Sequence, residues 1–333
     1  MKRIGNLYEK VISFENLYKA FTKAKRGTKT LESATFFYNL EDELVNLHEE
    51  LLTKVYKPVK YKYFKIYEPK EREISVAAFR DRVVHHAIIN ILEPIYENIF
   101  IHDSYATRKE KGTHRAIKRA QEFLGKNKWY LKADIKKYFE SINPDILMQI
   151  LQTKIKDRDL LWLIETIIRN SDKEKSGLPI GNLTSQFFAN VYLDKFDHYI
   201  KNKLKIKYYI RYMDDFVLFF NDKDFLKKIL PLIEEYLKTR LFLKLKEKAV
   251  LINQRLHGLG FLGVRIFPNI IRIKRENLKR SLNKLKLRKY QYEKSIISEY
   301  KYTQSITSIL EGNISYFDTY NLRSDIIRKG ILS

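Results

Sequence analysis

The chain has 333 residues, 44% hydrophobic and 14% aromatic, which excludes a disordered tail and allows a sizeable core in two or three subdomains. Sixty-four Lys and Arg against 40 Asp and Glu leave a net charge of +24, so a polyanionic partner is expected, bound in a strongly salt-dependent way. The absence of cysteine excludes disulfides, thiolate zinc sites and thiol nucleophiles, so any metal must be oxygen-ligated; no apolar run approaches the roughly 18 residues of a membrane span, and MKRIGNLYEK lacks a signal peptide's apolar core, so no membrane contact and a cytoplasmic location are expected.

In chain order, Leu7, Val11, Phe14, Leu17 and Phe21 recur at helical spacing, and so do Leu40, Leu44, Leu47, Leu51 and Val55. Two amphipathic helices should therefore open the protein, joined by AKRGTK, a basic turn that is either solvated or an RNA contact. Lys57-Pro58 should end the second helix. Residues 61–74, YKYFKIYEPKEREI, alternate cationic and apolar side chains and read as a strand pair turning at Glu68, Pro69 and Lys70. FRDRVVHHAIINILEPIYENIF follows as a long helix with Val84, Ala87, Ile88 and Ile91 on its buried side. Its adjacent His85 and His86 point about 100° apart and cannot readily chelate one ion. SYATRKEKGTHRAIKRAQEFL is a basic loop entering a basic helix, where Arg108 and Lys109 are either phosphate contacts or solvated charges.

Residues 129–139, WYLKADIKKYF, form an apolar run that ends in Asp134, and residues 177–186, GLPIGNLTSQ, a turn that opens a helix. Gly181 in that turn lets the backbone approach a ligand closely. Residues 208–220, YYIRYMDDFVLFF, read as two short strands with a tight turn at Met213-Asp214. Adjacent carboxylates in an apolar setting repel one another and are poorly solvated, so they are kept where a cation compensates them; a plain solvated turn is the other reading. If the strand ending in Asp134 lies beside this hairpin, three carboxylates meet, enough for two Mg²⁺ ions, with Mn²⁺ as a substitute. Two such ions about 3.5 to 4 Å apart activate a hydroxyl nucleophile and hold a pyrophosphate leaving group. Beyond the hairpin, residues 226–240 read as an amphipathic helix and LFLKLKEKAVLI as a strand exposing Lys244, Lys246 and Lys248. Residues 272–294 carry ten Lys or Arg and two Glu, a net +8, on a helix with Leu278, Leu282 and Leu285 as its core stripe.

Asp134 with Phe139 five residues on, then GLPIGNLTSQ, YMDD and Phe261-Leu262-Gly263, in this order, resemble the motif series of reverse transcriptases over most of the chain. Ser185-Gln186, where most relatives have Ser-Pro, resembles the branch found in diversity-generating retroelements, within the group II intron lineage; FRDRVVHHAI and SYATRKEKGTH resemble the same branch. The resemblance implies an α+β right-hand polymerase. Residues 1–60 would be an N-terminal helical extension, 61–128 the fingers, 129–268 a palm of antiparallel sheet backed by helices, and 269–333 a basic helical thumb. Asp134, Asp214 and Asp215 would be the catalytic metal ligands. Arg72, helped by Lys70 or Lys65, would bind the triphosphate, and Phe139 would be the gate that clashes with a 2′-hydroxyl, which makes deoxynucleotides the substrate. Ile180, Gly181 and Gln186 would lie at the nascent pair. Phe261, Leu262 and Gly263 would grip the primer, Arg108, Lys279, Arg280 and Lys284 would contact template and primer, and Lys248 would protonate the departing pyrophosphate.

The implied function is Mg²⁺-dependent, error-prone synthesis of complementary DNA from a template-repeat RNA, for diversification of a target gene. The implied partners are a structured template RNA, the primer-template duplex, deoxynucleotides and a small basic, oligomeric accessory variability protein. No endonuclease, RNase H or DNA-binding module is expected. A retron-type or defence-associated reverse transcriptase is the alternative, and a catalytically inactive RNA-binding protein another, against which the three acids speak.

Overall fold

Four helices open the chain in the computed structural model, which describes residues 3–67, 71–170 and 177–309: α1 (Tyr8–Ile12), α2 (Phe14–Lys25), α3 (Leu31–Tyr38) and α4 (Leu40–Leu52). Only two were expected. The periodic run of residues 7–21 breaks at Ser13, which adopts an extended backbone (φ −57°, ψ 141°) and whose side chain accepts from the Asn16 N–H, capping α2. Thr30 caps α3 in the same way by accepting from the Ser33 N–H. The fourth helix ends at Leu52, before the Lys57-Pro58 stop.

Strands β1 (Lys62–Ile66) and β2 (Arg72–Val76) pair antiparallel, from Lys62 opposite Val76 to Ile66 opposite Arg72. The expected turn with Lys70 lies outside the described residues. The long helix α5 (Phe79–Glu97) buries Val83, Val84, Ala87, Ile88 and Leu92 and packs on α2. His85 is fully buried on it, and burial pushes its ring pKa down to about 3, so the imidazole is neutral. Helix α6 (Thr113–Lys126) follows.

The central sheet is built from β3 (Trp129–Asp134), β4 (Tyr208–Tyr212), β5 (Asp215–Phe220) and β6 (Leu251–Gln254), in the order β4-β5-β3-β6, all antiparallel. Helices α7 (Tyr138–Ser141), α8 (Pro144–Gln152), α9 (Arg158–Ile168) and α10 (Leu183–His198) come between β3 and β4, and α11 (Lys223–Arg240) between β5 and β6. Both faces of the sheet are covered, which is why its strands are nearly continuous apolar runs. Leu131, Ala133, Tyr209, Phe216 and Leu218 join the main core with α5, α8, α10 and α11. Tyr130, Ile210, Val217 and Phe219 join a second core with Ile117, Ala120 and Phe123 of α6.

A three-stranded meander, β7 (Leu259–Phe261), β8 (Val264–Ile266) and β9 (Ile271–Ile273), closes that second core through Phe261, Val264 and Ile266. Helix α12 (Arg275–Glu293) then packs on α13 (Glu299–Ile309), with the rings of Tyr292 and Tyr302 stacked 4.9 Å apart. Leu285 is the buried residue of α12 and Leu278 and Leu282 are half-buried, the expected stripe. The strand expected over residues 241–252 forms only at its end, where Leu251 and Ile252 open β6, and Lys244–Lys248 is not strand. That segment makes one bridge, Leu245 to Ile135, and a 3-10 turn at Glu247–Ala249, while the Lys246 N–H bonds the Asp134 carbonyl at 2.8 Å. Its alternating pattern serves to pin the end of β3. Among the described residues no helix is long and apolar enough to cross a membrane.

Candidate active site

Asp134 is the last residue of β3 and pairs in register with Asp215, the first residue of β5. Asp214 sits one residue earlier, in the two-residue turn closed by the Tyr212–Asp215 pair, where Met213 takes a left-handed φ of 55°. The sheet therefore carries all three carboxylates to one edge. Burial raises the Asp214 carboxyl to about 6, the Asp134 charge adds to the rise, and the positive charges of Arg72 and Arg211 oppose it. Burial likewise raises Asp215 to about 6, against the pull of Lys132, whose Nζ lies 3.1 Å from Oδ2, and with the charges of Asp134 and Asp214 adding. At neutral pH these groups are ionised against their surroundings, a condition that a bound cation relieves.

The buried Oδ1 of Asp215 has no hydrogen-bond donor among the described residues. A set of carboxylate oxygens with one buried oxygen unpartnered fits a hard divalent cation. The side chains are adjacent without forming a ready-made metal cluster, since among the described residues no three ligating groups are gathered at metal-binding range. Lys132 stands beside them: its ammonium pairs with Asp215 and also donates to the Gly260 carbonyl of β7 at 3.0 Å. Sequence reading missed Lys132, although a strand's period of two places it on the same face as Asp134.

Around the acids, Arg72 stands exposed at the start of β2 with its charge felt at Asp214. Lys65, one of its two expected helpers, is paired with Glu71 at 2.9 Å, and Lys70, the other, lies outside the described residues. Phe139 is half-buried on α7, edge-on to Tyr138 at 5.8 Å, and its carbonyl accepts from the Leu178 N–H at 2.7 Å, linking α7 to the loop that holds Ile180. The Ile180 carbonyl accepts from the Ser75 N–H of β2 at 2.7 Å. Gly181 has φ +116°, and a Cβ there would lie 2.7 Å from Ile74 Cγ2 and 2.9 Å from the Ser75 carbonyl oxygen. The close approach at Gly181 is thus to strand β2, where a ligand was expected. Gln186 is half-buried in the first turns of α10.

Phe261, Leu262 and Gly263 form the β7–β8 turn. Leu262 and Gly263 share with Thr113, Asn277, Arg280 and Lys284 the wall of a cavity of about 780 Å³ between that turn and α12. Lys279 is exposed on α12. Arg108 is a correction: its guanidinium is buried, paired with Glu97 (Nη2 to Oε2 2.7 Å) and donating through Nη1 to the carbonyls of Ile101 and Ser104. It braces its own loop rather than reaching for a phosphate. Lys248 is exposed in the 3-10 turn.

The sequence profile of the family described as "Reverse transcriptase (RNA-dependent DNA polymerase)" matches residues 62–266. The chain is 28% identical over 207 residues to the group II intron-encoded protein LtrA of Lactococcus lactis subsp. cremoris, covering 59% of this chain and 34% of that protein. It is also 28% identical over 177 residues to the protein YkfC of Escherichia coli strain K12, covering 48% of this chain and 46% of that one. The chain therefore matches between about a third and a half of the length of these relatives. A solved telomerase from Candida albicans, 12% identical, aligns over 80% of this chain and 58% of that one with a TM-score of 0.49, a likeness too loose to carry weight. The profile match extends over more than half of the sequence and includes all three acids: the chain belongs to the reverse transcriptase family.

Proposed function

We propose that this protein is an RNA-directed DNA polymerase that extends a primer with deoxynucleotides on an RNA template. The observation that carries the reading is the meeting of Asp134, Asp214 and Asp215 at one sheet edge, with Asp215 linked through Lys132 to the β7–β8 strand pair. In this reading 1–60 is an N-terminal extension, 61–128 the fingers, 129–268 the palm and 269–333 the thumb. The three carboxylates hold two Mg²⁺ ions, which when bound activate the primer hydroxyl and neutralise the pyrophosphate. Arg72 binds the triphosphate from the strand whose Ser75 N–H bonds the Ile180 carbonyl. Phe139 excludes the 2′-hydroxyl, Ile180, Gly181 and Gln186 border the nascent pair, and the β7–β8 turn holds the primer end. Helix α12 lies along the duplex backbone, with Lys279, Arg280 and Lys284 reading phosphate rather than sequence.

Within this activity we propose the branch of diversity-generating retroelements, with a mutagenised copy of a template-repeat RNA as product, a basic accessory variability protein as partner and the cytoplasm as location. Ser185-Gln186 supports it, and so does Ile180, an aliphatic side chain where many reverse transcriptases present an amide to the incoming nucleotide. The name of one relative, a group II intron-encoded protein, favours a second reading, an intron-associated enzyme. Sequencing the RNA that co-purifies with the protein and the complementary DNA made on it separates the two. A template-repeat RNA copied with errors concentrated at adenines supports the first; an intron RNA copied faithfully refutes it.

A further inference from the structure

Behind the Met213-Asp214 turn lies an ion pair shut off from solvent. Arg211 on β4 and Asp197 on α10 are both fully buried. The guanidinium grips the carboxylate with Nε (2.8 Å to Oδ1) and Nη2 (2.6 Å to Oδ2), and Nη1 donates to Asn190 Oδ1 at 3.0 Å and to the Met213 carbonyl at 3.1 Å. The Tyr209 hydroxyl donates to Asp197 Oδ1 at 2.7 Å, and Asn190 Nδ2 to the Ala106 carbonyl at 2.8 Å, so the frame around the guanidinium is itself anchored. The Arg211 backbone is held as well: its N–H donates to the Asp103 carbonyl and its carbonyl accepts from the Tyr105 N–H.

A buried ion pair contributes little net stability, because desolvation offsets the attraction, so stability alone does not explain this one. Its outward reach does. Met213 holds a left-handed backbone that a non-glycine residue avoids, and its carbonyl belongs to the peptide that leads into Asp214. We propose that Arg211 is a positioning residue: by pinning the Met213 carbonyl it keeps the turn in the one conformation that presents Asp214 and Asp215 for metal, with Asp197 and Asn190 fixing the guanidinium. The inference rests on the polymerase reading for its consequence, and on the hydrogen bonds above for its geometry.

The test uses the full chain and Arg211→Lys. A lysine keeps the charge opposite Asp197 but lacks the fork that reaches two acceptors at once. Mn²⁺ binding to the protein alone, followed by electron paramagnetic resonance, should weaken about tenfold, the loss of one hydrogen bond from a charged donor. The kcat for nucleotide addition should fall by a similar factor, with the nucleotide KM and the template-primer Kd unchanged. A folded Arg211→Lys protein with wild-type Mn²⁺ affinity and kcat overturns the proposal. Should that variant not fold, Asn190→Ala decides, since it spares the ion pair and removes the acceptor that steers Nη1 beside the Met213 carbonyl: weakened Mn²⁺ binding supports the proposal and unchanged binding overturns it. A wild-type protein that binds Mn²⁺ but extends no primer refutes the polymerase reading, and the Mn²⁺ comparisons still decide the role of Arg211.

Discussion

Gly181→Ala tests how the β1–β2 hairpin is coupled to the nucleotide site. A Cβ on Gly181 meets Ile74 Cγ2 at 2.7 Å and the Ser75 carbonyl oxygen at 2.9 Å, and the second contact is backbone that cannot rotate aside. The φ of +116° adds strain of about 1 to 3 kcal/mol for a residue with a side chain. Moving β2 away to relieve the clash breaks the hydrogen bond from Ser75 to Ile180, worth about 0.5 to 1.5 kcal/mol. The two together make about 1.5 to 4.5 kcal/mol. The hairpin yields more readily than the core, because β1 is exposed along most of its length, so displacement of Arg72 rather than global unfolding is the expected outcome. The roughly 0.5 to 1.5 kcal/mol of the Ser75–Ile180 contact, at about 1.4 kcal/mol per tenfold, should raise the KM for deoxynucleotide about two- to tenfold, whereas the φ strain is present with or without nucleotide and lowers the thermal midpoint. Template-primer affinity should change little, and the midpoint should fall by only a few degrees. Steady-state single-nucleotide addition at saturating template-primer measures the first, filter binding and a thermal melt the others. An unchanged KM in a folded variant would refute the coupling of β2 to the nucleotide site.

Three further outcomes are expected. Phe139→Ala should raise ribonucleotide incorporation relative to deoxynucleotide; an unchanged ratio of efficiencies would make Phe139 a packing residue of α7 alone. Neutralising Lys279, Arg280 and Lys284 together should weaken template-primer binding for all sequences alike and lower the slope of log affinity against log salt by up to about 2.7, three phosphates' worth; a constant slope would place duplex binding elsewhere. If the chain works as the diversity-generating retroelements it resembles, whose errors fall at template adenines, Ile180→Gln should lower misincorporation there more than opposite other bases, by roughly two- to tenfold for one amide hydrogen bond of about 0.5 to 1.5 kcal/mol. Equal adenine error frequencies in sequenced products would remove Ile180 from the mechanism.

The meeting of the acids was legible in the sequence because a strand ending in an acid and a hairpin turning on two acids leave few ways to pair, and antiparallel pairing of β3 with β5 brings Asp134 opposite Asp215. The helix α12 was legible for a similar reason: its charge is too dense for any buried face wider than the Leu278, Leu282 and Leu285 stripe. Local competition hid the rest. Ser13 breaks a continuous helical period because its hydroxyl caps a new helix better than it continues the old one. Lys244, Lys246 and Lys248 alternate as in a strand, yet the segment pairs through the single bridge of Leu245 to Ile135 and then turns at Glu247–Ala249. Arg108 read as a phosphate contact or a solvated charge because its partner Glu97 lies eleven residues away on another element. Arg211, an arginine inside an apolar strand, gives no sign of Asp197 until α10 is packed behind the sheet.

The central claim is that the three carboxylates catalyse nucleotide addition on RNA, and primer extension by wild type and Asp214→Asn tests it most directly. A neutral amide holds a divalent cation poorly, whereas α12, the proposed duplex-binding surface, is untouched by the change. The account predicts that wild type extends a DNA primer on an RNA template in Mg²⁺ or Mn²⁺, and that Asp214→Asn binds the same template-primer without adding a nucleotide. Extension by Asp214→Asn at near wild-type rate, or none by wild type with either metal, would contradict it.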